Sequence, residues 1–115
     1  MDRKKELKEM YKQMKTDMGA FIIRLKTGNK YYLETTHNLN GKINSSKFQL
    51  KMGSFRNEQL QKEWKQCGAD NFEIKILEKL KYDEDESKTD YSEELEIMKT
   101  IWEEKLSEQN MVPYR

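Results

Sequence analysis

The stretch Leu60–Glu78, "LQKEWKQCGADNFEIKILE", changes period in its middle. Leu60 and Trp64 stand four residues apart, one turn of a helix, and Gly68 is the residue type that best tolerates the left-handed turn after a helix end. From Phe72 the spacing becomes two. Phe72, Ile74 and Ile76 alternate with Glu73 and Lys75, which predicts a strand with one buried face. A helix over 57–67 should therefore pack across a sheet through Leu60 and Trp64, with a strand over 71–78.

Toward the N-terminus, "AFIIRLK" and "KYYLETT" are rich in β-branched and aromatic residues and are separated by "TGN". The pattern predicts an antiparallel hairpin with strands over 19–26 and 30–36. Between this hairpin and the helix lies "NLNGKINSSKFQLKMG". Asn38 is a capping residue and Phe48 and Leu50 are apolar, but Gly41 and the Asn and Ser residues weaken the front half, so a short or broken helix is expected. Residues 2–17 set Leu7, Met10, Tyr11 and Met14 on one stripe of a charged helix, which must dock on something.

Toward the C-terminus, "KYDEDESKTD" (81–90) reads as a charged, mobile linker. Leu95, Met98, Trp102 and Leu106 predict a last amphipathic helix, with Glu93 and Glu94 where the helix dipole favours negative charge. The fold class expected is α+β: a small three-stranded, mainly antiparallel sheet flanked by helices, with an extra N-terminal helix. The expected division is an N-terminal amphipathic helix over 1–17, one domain over 18–110 and a tail over 111–115.

Composition narrows the function. Of 115 residues, 35% are hydrophobic and 37% charged, a polar but blockwise-patterned chain of one-domain size. No run approaches the roughly 18 apolar residues of a membrane span, and the charged start lacks a secretory signal, so a cytoplasmic, membrane-free protein is expected. Cys67 is the only cysteine and His37 the only histidine. That argues against a disulfide, a thiolate zinc cluster or a nucleophile–histidine centre. Cys67 reads as a half-buried small hydrophobe, and His37 as a loop residue.

Residues 1–80 carry 17 Lys or Arg against 10 Asp or Glu, and residues 81–115 carry 5 against 11, giving +7 and −6. Such polarity favours neither phosphate binding nor its refusal, and two solvated faces are the simpler account. Arg24, Lys26 and Lys30 flank the hairpin, where they could touch phosphate or simply be solvated.

Gly19-Ala20-Phe21, Tyr32-Leu33-Glu34 some ten residues on, "NL" in "TTHNLNGKI", and above all "NEQLQKEWKQCGADNFEIKILE" together resemble the GIY-YIG nuclease superfamily. The resemblance runs from about Met18 to Leu106. It is strongest to the short bacterial-type domains associated with LuxR- and ArsR-type transcriptional regulators. It implies a GIY-YIG-like fold and, for the superfamily, hydrolysis of a DNA phosphodiester with one divalent metal. A tyrosine would help generate the nucleophile, an arginine would steady the developing charge and a glutamate would bind the metal.

Carried over position by position, Tyr32 keeps one motif tyrosine and Phe21 replaces the other. Glu34 replaces a glycine. Lys42 takes the arginine position, with charge but without the planar fork. Lys99 takes the metal-ligand position, unless a shifted register of the last helix brings in Glu96. The resemblance thus implies a degenerate site at Tyr32 and Lys42, with no metal. The expected function is nucleic-acid binding or regulation, weak and sequence-independent on DNA, through Arg24, Lys26, Lys30, Lys42 and Lys47. The alternatives are an active Mg²⁺- or Mn²⁺-dependent endonuclease, and a domain that binds a protein partner or a second copy without nucleic acid.

Overall fold

Residues 15–115 are described by the computed structural model. They form β1 (Met18–Leu25), β2 (Lys30–Thr36), α1 (Leu39–Met52), α2 (Glu58–Cys67), a 3-10 turn (Ala69–Asn71), β3 (Phe72–Leu80), α3 (Ser92–Glu108) and β4 (Val112–Pro113). The helix expected over 1–17 falls almost wholly outside the described residues, and 15–17 have no regular structure. No helix among the described residues is long and apolar enough to cross a membrane.

The sheet order is β3-β1-β2-β4. β1 pairs antiparallel with β2 and with β3, as the three-strand pattern predicts. The fourth strand is a correction: residues assigned to a tail add two rungs parallel to β2, at Lys30 and Tyr31.

β1 is central and buried on both faces, which explains why "MGAFIIRL" reads as a continuous apolar run. Phe21 and Ile23 point to one side, into a cluster with Leu39, Leu50, Phe55, Leu60, Phe72 and Tyr114. Ala20 and Ile22 point to the other side, against Tyr31, Leu33, Met98 and Leu106. Helices α1 and α2 thus cover one face and α3 the other.

α1 is one unbroken 14-residue helix, not the short or broken one expected. Asn38 Oδ1 accepts the Gly41 amide at 3.0 Å, so the weak glycine sits where the cap supports it. Gly53 closes the helix at φ 81°, and Leu39 and Leu50 anchor it to the core.

β3 departs from simple alternation. Ile76 lies opposite Phe21 but Glu78 opposite Ala20, so Leu77 is an extra residue, a β-bulge. The bulge shifts Glu78 and Leu80 onto the α3 side, beside Leu77, whereas Ile76, expected in the core, is 37% exposed. Gly19 lies beside this irregularity, where a Cβ would collide with the Glu78 carbonyl. The 81–90 segment has no helix or strand, but Tyr82 Oη donates to the Thr16 carbonyl at 2.6 Å and Lys88 pairs with Glu94 at 2.8 Å.

Candidate functional site

Strand alternation on β2 sends Tyr31 and Leu33 toward α3, and Tyr32 and Glu34 toward α1 and α2. Beyond Tyr31 the outer edge of β2 is no longer paired with β4. The front of α1 brings Lys42 to this edge, and the α1–α2 connection brings Phe55 and Arg56. That connection is held by Gln61, buried at 8% exposure: it accepts the Phe55 amide at 2.9 Å and donates to the Leu50 carbonyl at 3.0 Å. Phe55 meets the Tyr32 ring edge-on, centroids 5.1 Å apart, which orients the phenol.

Four side chains converge. Arg56 Nε and Nη2 donate to Tyr32 Oη at 3.0 and 2.7 Å, and Nη2 also donates to Glu34 Oε1 at 3.1 Å. Tyr32 Oη donates to Glu34 Oε2 at 3.3 Å, and Lys42 Nζ lies 3.5 Å from Glu34 Oε1. The Glu34 side chain is 12% exposed, against 71% for Arg56 and 39% for Lys42. Burial pushes the Tyr32 phenol above its ordinary range; the Arg56 hydrogen bonds oppose this, and Glu34 adds to it. The phenol in turn raises Arg56 further, chiefly by accepting its hydrogen bond. Two cations and one carboxylate leave the cluster at +1, with the carboxylate in the position from which an anion would use both cations.

The structure therefore brings Tyr32, Glu34 and Lys42 together and adds Arg56, which the sequence reading missed. Its planar fork is the group Lys42 lacks, but it comes from a loop 22 residues after Glu34 that no helical or strand period marks. Phe21 is fully buried in the core. Lys99 lines a cleft of about 250 Å³ with Tyr32, Asn57, Glu103 and Tyr114. Glu96 does not line it; it lies with Glu93 and Ile97 along an adjoining groove that Lys99 and Glu103 also border. The carboxylate that does line it is Glu103, one turn beyond Lys99, also missed.

This donor set does not fit a hard divalent ion, which prefers several oxygen ligands free of competing cations. Glu34 is committed to Arg56 and Lys42, and Glu103 shares its cleft with an ammonium. Among the described residues no three His, Cys, Asp or Glu side chains come together in a way that could hold a metal.

The suggested phosphate contacts do not form one surface. Arg24 faces the α3 side, 4.0 Å from Glu73, whereas Lys42 and Lys47 ride on α1 across the sheet. Lys26 Nζ donates to the Asp70 carbonyl at 3.0 Å. Trp64 stacks on Phe72, centroids 4.9 Å apart, as a core residue should. Trp102 Nε1 donates to Glu78 Oε1 at 2.8 Å.

Element order, the central two-face strand and the tyrosine-bearing second strand facing the next helix are consistent with a GIY-YIG-like fold. Within that class the chain is similar to the catalytic domain of homing endonuclease I-TevI: TM-score 0.66, 19% identity, 85% of this chain and 98% of that one. A mutant form of the catalytic domain of intron endonuclease I-TevI matches likewise, with TM-score 0.66, 19% identity, 87% of this chain and 93% of that one. At such identity the likeness is one of fold. No protein-family model and no curated protein sequence matches the chain.

Proposed function

We propose that this chain is a nuclease-fold domain that binds nucleic-acid phosphate weakly, without sequence preference and without cleaving it, as a binding or regulatory module. The observation that carries this reading is the Glu34 carboxylate, held by Arg56 at 3.1 Å and Lys42 at 3.5 Å. Phosphodiester hydrolysis needs fixed positive charge free to meet the charge that builds on phosphate. Here an internal carboxylate already occupies those donors, and Lys99 brings an ammonium where the resemblance calls for a metal ligand. The reading is therefore metal-free. Arg56 and Lys47 are exposed and keep donors toward solvent, enough for backbone contacts that read no sequence.

The test uses nucleic-acid-free protein with supercoiled plasmid, with Mg²⁺ and with Mn²⁺, followed by gel shifts at about 50 and about 200 mM salt. The expected result is no nicking, and a weak shift that fades at the higher salt. Nicking abolished by Tyr32→Phe would instead establish a metal-dependent endonuclease with a rearranged site. Absence of both nicking and shift would remove nucleic acid from the account.

A further inference from the structure

The exposed apolar side chains of the helices collect on α1 and α3, which lie on opposite sides of the sheet. On α1, Phe48 and Met52 stand one turn apart, each 64% exposed. This helix carries Lys42, Lys47 and Lys51 and no carboxylate, and Lys65 of α2 reaches its end beside Gly53. Lys47 and Lys51 also border an apolar cleft of about 520 Å³ lined by Trp64, Phe72 and Ile74. On α3, Ile97 and Ile101 are likewise one turn apart, 53% and 44% exposed, in a groove whose charged lining is Glu93, Glu96, Glu103 and Glu104 against the single Lys99, a net −3. That helix has six glutamates and two lysines. Among the described residues, Lys47, Lys51, Lys65, Glu93, Glu96 and Glu104 enter no ion pair with one another or with any other side chain.

We propose that a second copy of this chain docks its acidic α3 face, led by Ile97 and Ile101, on the lysine-bordered α1 face, so that copies associate head to tail. Each face has what the other lacks. An aliphatic pair at helical spacing meets an apolar cleft, and glutamates around the one meet lysines around the other. Scattered exposed apolar residues are ordinary on a protein surface, but here the two pairs lie within net charge of opposite sign. The two faces differ and point in opposite directions, so the contact is heterologous and leaves a free face at each end, extending to short chains or a ring. A single helix on a cleft gives a small interface, hence a weak one that salt screens.

Sedimentation velocity on the nucleic-acid-free full chain, as a concentration series at about 50 and about 500 mM salt, reads the association directly. The expected result is a mass that climbs above the monomer with concentration at low salt and returns to it at high salt. Phe48→Glu and Ile101→Lys alter exposed positions and should leave thermal unfolding unchanged, yet each sets like charge against like and should abolish association at every concentration where the wild type associates. Lys51→Glu provides an independent check on the α1 face. The decisive sample is an equimolar mixture of Phe48→Glu and Ile101→Lys: each retains the face the other lost, so it should form a 1:1 dimer and nothing larger. A wild type that stays monomeric, as a lysine face serving phosphate alone would leave it, overturns the proposal. So does association that survives both substitutions, which would move the contact elsewhere, or a mixture that remains monomeric. The gel shift above is a separate readout, so failure here leaves the nucleic-acid reading standing.

Discussion

At Glu34 a carboxylate competes with any phosphate for the same donors, 3.1 Å from Arg56 and 3.5 Å from Lys42. Glu34→Gln keeps the shape of the side chain and removes its charge, raising the cluster from +1 to +2. We expect Glu34→Gln to bind DNA several-fold more tightly at low salt. Its affinity should fall more steeply with salt, by roughly one additional phosphate's worth of slope. Stability should change by less than about 1 kcal/mol, because both cations are partly exposed and screened. Gel shifts over a salt series with a parallel thermal melt check both statements. Tyr32 and Glu34 were legible in the sequence only through the resemblance, as a match and a mismatch to its motif. That they meet at one guanidinium was not legible, because Arg56 comes from a loop whose position depends on the buried Gln61.

Single side chains also govern individual elements. Asn57 Oδ1 accepts the Leu60 amide at 3.0 Å at the start of α2, and its Nδ2 reaches the Tyr114 carbonyl at 3.5 Å. Asn57→Ala should cost about 1–2 kcal/mol, the upper part of the range for a lost cap, since it also loosens the C-terminal strand. Chemical denaturation monitored by helical circular dichroism measures the loss. Helix α2 and its glycine stop were plain in the sequence because Leu60, Trp64 and Gly68 lie within three turns of one another. α1 was underestimated because its weak Gly41 is compensated by a cap three residues earlier and by Leu39 and Leu50 buried far along the chain. In β3 the alternation broke where the partner strand admitted an extra residue, a property of the pair and not of either strand.

At the scale of the whole molecule the C-terminal segment is structural. The Val112 and Tyr114 amides donate to the Asn29 and Tyr31 carbonyls at 2.9 and 2.8 Å, and Tyr114 is 6% exposed within the main core. Burial raises the phenol pKa of Tyr31, Tyr32 and Tyr114 above the ordinary 10.0, most strongly for Tyr114. The folded chain holds these protons where the unfolded chain has begun to release them. Their stabilising contribution is therefore complete below pH 10 and is lost as pH rises through the higher folded values. Urea midpoints should fall above pH 10, and Tyr114→Phe should make that fall shallower; midpoints that stay level to higher pH would contradict it. Part of the charge polarity of the sequence also takes a position in space only here, with three lysines and no carboxylate on α1 and six glutamates against two lysines on α3, on opposite sides of one sheet.

By itself the sequence determined the α+β class, the hairpin, the helix from Asn57 to its glycine stop and the last amphipathic helix. Each depends on periodicity and turn chemistry among residues a few positions apart, where backbone geometry alone relates side chains. Only the tertiary structure decided that Arg56 joins Tyr32 and Glu34, that Lys99 and Glu103 share the neighbouring cleft while Glu96 does not, and that residues at the C-terminus complete the sheet. Those relations span distant parts of the chain. They are set by how helices seat on the two faces of β1, which is a matter of packed volume and hydrogen-bond satisfaction that no local pattern records.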